Sequence, residues 1–286
     1  MSPGTAARRQ KKTLRPNDKG KIVEHYDTVS PYYHALWGEH LHHGYWIRGD
    51  ESKEAAQLQL TEHLATLANV GEGAAVLDVG CGFGGSTLYL ARKYKARATG
   101  ITISPVQIEM ATNAAKAAGL EARFLLMDAE KLDFSEPFDL LWSIESISHY
   151  YDREKFFANA VPFLKAGGVF AFTDWFKRPG LTPTQRRKFI DPIERGMFVE
   201  LETMDDYAAY LVANGMEILH RQELTKQCAK TWDLGLGIIR DKSLWALAAT
   251  YGRDFLTYMR AFRAMRVGYA SGNFVYGLIV ARKKGR

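Results

Sequence analysis

Along residues 71 to 177 the apolar positions alternate between two spacings. Short runs rich in β-branched and aromatic residues predict strands at "AAVLDVG" (74–80), "ARATGITIS" (96–104), "ARFLLMD" (122–128), "FDLLWSI" (138–144) and "GVFAFTDWF" (168–176). Between them, "GGSTLYLARKY" (84–94), "PVQIEMATNAAKAAG" (105–119) and "REKFFANAVPFLKAGG" (153–168) have the three-to-four spacing of helices. The second of these opens at Ser104 and Pro105 and closes at Gly119. Strand and helix in alternation predict an α/β fold, a parallel sheet covered on both faces. Upstream, 21–46 is aromatic- and histidine-rich, with a helix expected to break at Pro31, and 52–70 is helical up to Gly71. Downstream, 178–203 looks like a cap or lid, 205–215 like a helix, and 216–225 and 273–283 like late strands on either side of a helical stretch from about Thr231 to Ala264.

The charge is unevenly spread. Of 38 Lys and Arg, seven stand in residues 1–21 against Asp18 alone, so 22–286 holds 31 basic and 31 acidic residues. The net +6 is therefore that of a polar N-terminal segment, expected to be disordered over 1–20 and dispensable for catalysis, and nucleic acid is not an expected partner. No apolar run is long enough for a membrane span, and the basic N-terminal segment, with no apolar stretch behind its charges, is not expected to act as a secretory leader. Two cysteines, Cys81 and Cys228, make no disulfide framework, so a cytoplasmic location is expected.

The stretch "VLDVGCGFGGS" (76–86) carries the chemistry. Gly80, Gly82 and Gly85 have the spacing of a dinucleotide-binding turn. An NAD site asks for an acid at the end of the next strand, yet no Asp or Glu occurs between Asp78 and Glu109. Asp78, on the strand before the loop, would also set negative charge beside a pyrophosphate. S-adenosylmethionine (SAM) has no phosphate and carries an ammonium and a sulfonium, which nearby acids stabilise. Asp78, the Gly80, Gly82 and Gly84 turn, and Asp128 with Ala129 after the third strand together fit SAM as cofactor, with S-adenosylhomocysteine as product.

From about Glu24 to Lys284 the chain resembles the class I SAM-dependent methyltransferases, and within them the γ-tocopherol methyltransferase-like enzymes of small molecules. "YDTVS", "LWGEHLHHGYW", "VLDVGCGFGGS", "GITISPVQ" and "WSIES" carry the resemblance. It implies a Rossmann-like seven-stranded sheet with its last strand antiparallel. A helical N-terminal cap (21–70) would sit on a SAM-binding core (71–286) with lid segments at about 176–204 and 228–270. It also implies that the Gly80–Gly84 loop, with Cys81, faces the methionine part of SAM. Thr102, Ile103 and Gln107 would lie by the ribose and Asp128 and Ala129 by the adenine; Ser143 would be near the cofactor. Tyr26 and His42 would close over it from the cap. The acceptor implied is a small, largely apolar natural product, phenolic, isoprenoid or alkaloid-like, of secondary metabolism.

"HYD", "AKTWDL" and "RVGY" are similar to cyclopropane fatty-acid synthases, a lipid-modifying alternative. Ser148, Thr173 and Cys228 stand where those enzymes hold bicarbonate, so that site is missing. A SAM-binding protein without turnover is the other alternative. For catalysis the candidates are His149, after the fourth strand, as general base, and Glu145, which would orient the acceptor or the cofactor. Asp174 ends the fifth strand and is either a cavity or a turn residue. Tyr32, Tyr33, Trp37, Tyr45 and Trp46 are either pocket walls or core. His40, His42 and His43 lack the neighbours of a metal centre, and none is expected.

Overall fold

The computed structural model describes residues 17–238, 248 and 254–285. Seven strands form one sheet in the order β3-β2-β1-β4-β5-β7-β6. They are β1 (Ala75–Val79), β2 (Arg97–Thr102), β3 (Ala122–Leu126), β4 (Phe138–Ile144), β5 (Leu164–Lys177), β6 (Met216–Glu223) and β7 (Phe274–Lys283). The first five run parallel, and β7 inserts antiparallel between β5 and β6. Order reverses between β1 and β4, and a doubly wound sheet opens its ligand crevice at that point.

Helices α1 (Lys19–Trp37) and α2 (Lys53–Leu67) precede the sheet, and α3 (Gly85–Tyr94), α4 (Pro105–Ala118) and α5 (Arg153–Ala160) connect its parallel strands. Then come α6 (Asp191–Met197), α7 (Met204–Ala213), α8 (Lys230–Ile238) and α9 (Asp254–Ser271). On one face Phe156, Phe157, Phe170, Phe172, Phe176 and Tyr207 are fully buried together, each ring contributing about 1.5–3 kcal/mol by leaving water. On the other, Leu60 and Leu64 of α2 pack with Trp142 and Ala171.

Three expectations change. The helix foreseen to break at Pro31 runs unbroken to Trp37, although proline forfeits one backbone bond and crowds the preceding turn. The packing around it overrides that local cost. Asp27 accepts from Ser104 Oγ at 2.5 Å, Gln107 Nε2 donates to Ser30 Oγ at 3.1 Å, and Val29 is buried. Residues 164–168 extend β5 rather than α5: Leu164 pairs with Phe138 while Val169 pairs with Leu140, so the two glycines lie in a strand irregularity. Of the expected disordered tail, 1–16 lies outside the described residues, but 17–20 is built into the fold. Asn17 donates to the Tyr150 carbonyl at 2.9 Å, Asp18 caps α1 through Lys21 N–H, and Lys19 pairs with Asp128 and Glu130, each at 2.6 Å.

Those contacts distinguish two truncations. Comparing a chain that starts at Asn17 with one that starts at Lys21, the shorter is expected to be less stable by about 1–3 kcal/mol, from the lost cap and buried hydrogen bond. Coincident denaturation midpoints would show that residues 17–20 hold nothing.

Candidate active site

The carboxyl ends of β1, β2 and β4, the cap helix α1 and the helices α8 and α9 wall one cavity of about 1760 Å³, counting its open mouth. Its lining runs from the glycine loop to aromatic side chains of α1, α8 and α9.

At one end lies the glycine loop. Gly80 has φ of +79°, and a Cβ there would fall 1.8 Å from Ser146 Oγ, so only glycine lets the loop pass beneath β4. Gly82 also has a left-handed φ, +55°, but a Cβ on it would meet no protein atom within 4 Å. The space over Gly82 is cavity. Gly84 opens α3 in the left-handed region, with Ala111 and Phe124 against it, and is not among the cavity-lining residues. Asp78 also stands behind the loop. Its Oδ2 accepts from Ser86 at 2.8 Å and Thr87 at 2.6 Å, which fixes the first turn of α3. Burial pushes its carboxyl up to about 6 against those two hydroxyls, and its Oδ1 is buried with no protein partner. Ser143 is likewise internal, donating to the Val79 carbonyl at 2.8 Å.

Gly80, Cys81, Gly82, Thr102, Ile103, Gln107, Asp128, Ala129, Tyr26 and His42 do line the cavity, as do Glu145 and His149. Thr102 Oγ1 donates to Gln107 Oε1 at 2.7 Å, which ties the end of β2 to α4. Burial pushes the Cys81 thiol up, so it stays neutral. His42 is also buried, which lowers its pKa, and it sits 3.2 Å from His40 Nδ1. His43 turns the other way, so the three histidines do not converge. Among the described residues no group of three or more His, Cys, Asp or Glu is placed to hold a metal ion.

Glu145, at φ +54° just past β4, is the charged centre of the wall. Its Oε1 accepts from His43 N at 2.7 Å, His43 Nδ1 at 3.0 Å and Tyr276 Oη at 2.7 Å. Burial would raise its pKa, but His43 and His42 outweigh that, and the carboxyl titrates below its ordinary range. Its Oε2 takes no hydrogen bond from the described residues.

His149 is neutral with a fixed tautomer. The Phe198 carbonyl can only accept, so Nδ1 carries the hydrogen toward it at 3.1 Å. Nε2 then accepts from Tyr26 Oη at 2.9 Å. Burial lowers the imidazole pKa to about 4, opposed by the Phe198 carbonyl and Glu145. The same cavity is also lined by Tyr33, Trp175, Met197, Trp232, Tyr258, Met259 and Phe262. Among the described lining residues Lys19 is the only Lys or Arg, and it is paired with Asp128 and Glu130.

Several of these were not read from the sequence. Met197, Trp232, Tyr258 and Phe262 sit in helices where any apolar residue reads as core. Of the cap aromatics, Tyr32, Tyr33 and Trp37 reach the cavity, while Trp46 is buried away from it and Tyr45 stacks on His63. Asp174 is a structural residue, accepting from the backbone N–H of Ser148 and Trp175.

This sheet order, with its glycine loop at the β1–β4 reversal, is that of the class I SAM-dependent methyltransferases. Residues 13–271 match the family model described as mycolic acid cyclopropane synthetase, and the chain belongs to that family of SAM-dependent enzymes. It is a methyltransferase. It is 30% identical to the 27-O-demethylrifamycin SV methyltransferase of Amycolatopsis mediterranei, over 94% of this chain and 97% of that one. To the chloroplastic tocopherol O-methyltransferase of Arabidopsis thaliana it is 29% identical, over 92% and 81%. Among solved structures, the cyclase SpnF superposes with a TM-score of 0.81 at 25% identity, covering 93% of this chain and 96% of that one. The cyclopropane synthase MmaA2 from Mycobacterium tuberculosis superposes at 0.82 with 21% identity, over 95% and 100%, a likeness of fold. Among the described residues no helix is long and apolar enough to cross a membrane.

The cavity suits the positive charge of SAM: the charged Glu145 and the uncovered face of Gly82 both line it, with the unpartnered Asp78 Oδ1 buried behind the loop. A methyl group at Gly82 is expected to cost about 1–2 kcal/mol of stability through its left-handed φ. Gly82→Ala is expected to weaken S-adenosylhomocysteine binding at least 10-fold by calorimetry. Unchanged affinity in a folded variant would remove the cofactor from this loop.

Proposed function

We propose that this enzyme methylates a hydroxyl group on a neutral, largely apolar small molecule, with His149 taking the hydroxyl proton. The observation that carries the reading is the uncharged imidazole of His149, fixed in one tautomer in the cavity that the glycine loop and a set of aromatic and methionine side chains also line. When bound, SAM would supply an activated methyl group, its carbon passing to the acceptor oxygen while the bonding pair stayed on sulfur.

The protein's own residues do the rest. Gly80, Cys81 and Gly82 would hold the methionine end, Thr102, Ile103 and Gln107 the ribose side, and Asp128 and Ala129 the adenine side. Asp78, Gly84 and Ser143 act at one remove, bracing the loop and the strand that bear these contacts. The unshared Oε2 of Glu145 would attract the cofactor's positive charge or receive a second polar hydrogen of the acceptor. Apolar walls exclude water and align the acceptor, the main source of rate in a displacement on an activated carbon.

The same chamber argues against a diphosphate acceptor, because no unpaired Lys or Arg faces it among the described lining residues. Relatives named for methylating oxygen on rifamycin and tocopherol support a hydroxyl acceptor here. Against lipid cyclopropanation, Ser148, Thr173 and Cys228 all lie off the cavity lining. Two free, buried cysteines are in keeping with a reducing cytoplasm.

The test is transfer of labelled methyl from SAM to a panel of neutral phenols, macrocyclic alcohols and terpenoid alcohols, beside geranyl diphosphate. Product on the neutral members is expected, and product on the diphosphate alone would sink the reading. His149→Gln is expected to lower kcat by about 10²-fold or more. Protonation would abolish His149 as acceptor, and with its pKa near 4 the base form persists well below neutrality. The wild-type rate should therefore be flat from about pH 5.5 to 8 and fall only as pH approaches 4. A fall centred near 6.5 would show a histidine exposed to water.

A further inference from the structure

Both ring nitrogens of His149 are taken. Nδ1–H is committed to the Phe198 carbonyl at 3.1 Å, and Nε2 accepts from Tyr26 Oη at 2.9 Å. A proton from the acceptor can therefore reach Nε2 in two ways only: through the Tyr26 hydroxyl, or after Tyr26 has been displaced. Displacement is opposed by the neighbours of Tyr26 on α1. Asp27, the next residue, accepts from Ser104 Oγ at 2.5 Å, and Ser30, one turn on, accepts from Gln107 Nε2 at 3.1 Å. On the other side His25 is buried edge-on to the Tyr26 ring, with Phe198 and Tyr258 around it. Tyr26 itself lines the cavity.

We propose that Tyr26 is a catalytic residue, a proton relay between the acceptor hydroxyl and His149. This rests on the reading of His149 as the proton's destination, and it gives Tyr26 a role other than closing over the cofactor. As the acceptor oxygen bonds to the methyl carbon, its O–H bond breaks and the proton passes to Tyr26 Oη. At the same time the original Tyr26 O–H bond breaks and its proton bonds to His149 Nε2. Tyr26 ends neutral, the methyl ether is neutral, and the positive charge that began on the donor resides on the imidazolium. The Phe198 carbonyl receives its Nδ1–H and the Glu145 carboxylate stabilises its charge. The proton leaves to solvent after the products do. Burial keeps the Tyr26 phenol well above its usual range, so it passes a proton without standing as a phenolate.

The test sets Tyr26→Phe and His149→Gln beside the wild type on 4-substituted phenols, from 4-methoxyphenol, neutral at pH 7.5, to 2,4-dinitrophenol, which is already ionised. A phenolate has no proton to relay. Under the proposal, Tyr26→Phe loses at least 10-fold more kcat on the neutral phenols than on the ionised one, and S-adenosylhomocysteine affinity changes less than 3-fold. His149→Gln shows the same split. An equal loss across the series for Tyr26→Phe, with a split retained by His149→Gln, overturns the relay and leaves the base in place. An equal loss for both variants removes the base as well. Failure of the wild type to methylate any neutral phenol overturns the relay too, since its purpose is to take such a proton. A second measurement needs no turnover: ¹⁵N spectra of the wild-type imidazole, assigned by loss in His149→Gln. They are expected to show protonated Nδ1 and a hydrogen-bonded, unprotonated Nε2, whose shift moves in Tyr26→Phe. Protonated Nε2 in the wild type overturns the proposal even if Tyr26→Phe does not fold.

Discussion

The single oxygen Oε1 of Glu145 ties together three parts of the chain that are far apart in sequence. A buried carboxylate is costly unless strong donors surround it, and this one has three: the backbone and ring N–H of His43 and the hydroxyl of Tyr276. His43 belongs to the segment between α1 and α2, Glu145 to the turn after β4, and Tyr276 to β7. Tyr276 continues the chain of contacts to Thr173 on β5 at 2.8 Å, and His43 Nε2 reaches Tyr269 of α9 at 3.1 Å. The sheet, the segment between α1 and α2, and α9 thus converge on one charge. The left-handed φ of Glu145 is sustained by that convergence, which aims the side chain at the wall of the cavity.

With Glu145 fixed, the cavity acquires two characters. Its loop end is rich in polar groups, with the Glu145 carboxylate and the Lys19–Asp128 pair on its lining. The far end is apolar and close to neutral, because burial has emptied its histidines of charge. His25 is held near 3 and His149 near 4, both by desolvation. In the proposed reading a cationic donor and an uncharged acceptor would thereby be sorted to opposite ends of one space, with methyl transfer where the two meet.

How much of this the sequence displayed follows from the range of each interaction. Strands and their order of appearance were legible because burial on both faces writes continuous apolar runs. The loop was legible because Gly80, Gly82 and Gly84 each need a left-handed φ, which few other residues supply. The unbroken α1 was not, since local rules for Pro31 are overruled by contacts to Ser104 and Gln107 some 75 residues away. The contact between Tyr26 and His149 spans 123 residues, and the other partner of His149 is a main-chain carbonyl at Phe198, which no side-chain pattern announces. Asp78, Gly84 and Ser143 were expected at the cofactor, but they lie off the cavity lining. A motif records which residues the loop requires, and bracing residues are required as much as lining ones.

A histidine that titrates near 4 looks too weak to help a hydroxyl whose own pKa is near 10. In the proposed transfer the comparison is misleading, because the proton would not be removed from the ground-state hydroxyl. As the oxygen lone pair commits to the incoming carbon, that oxygen becomes positive, and its proton becomes far more acidic than any imidazolium. A weak base then suffices, and it has an advantage that a stronger one lacks. It stays unprotonated beside a cationic donor, where an ordinary histidine would compete to become charged or be held so by Glu145. Burial thus trades basicity for readiness. The tautomer lock at Phe198 completes the arrangement by keeping the one lone pair directed toward Tyr26 and the space beyond it.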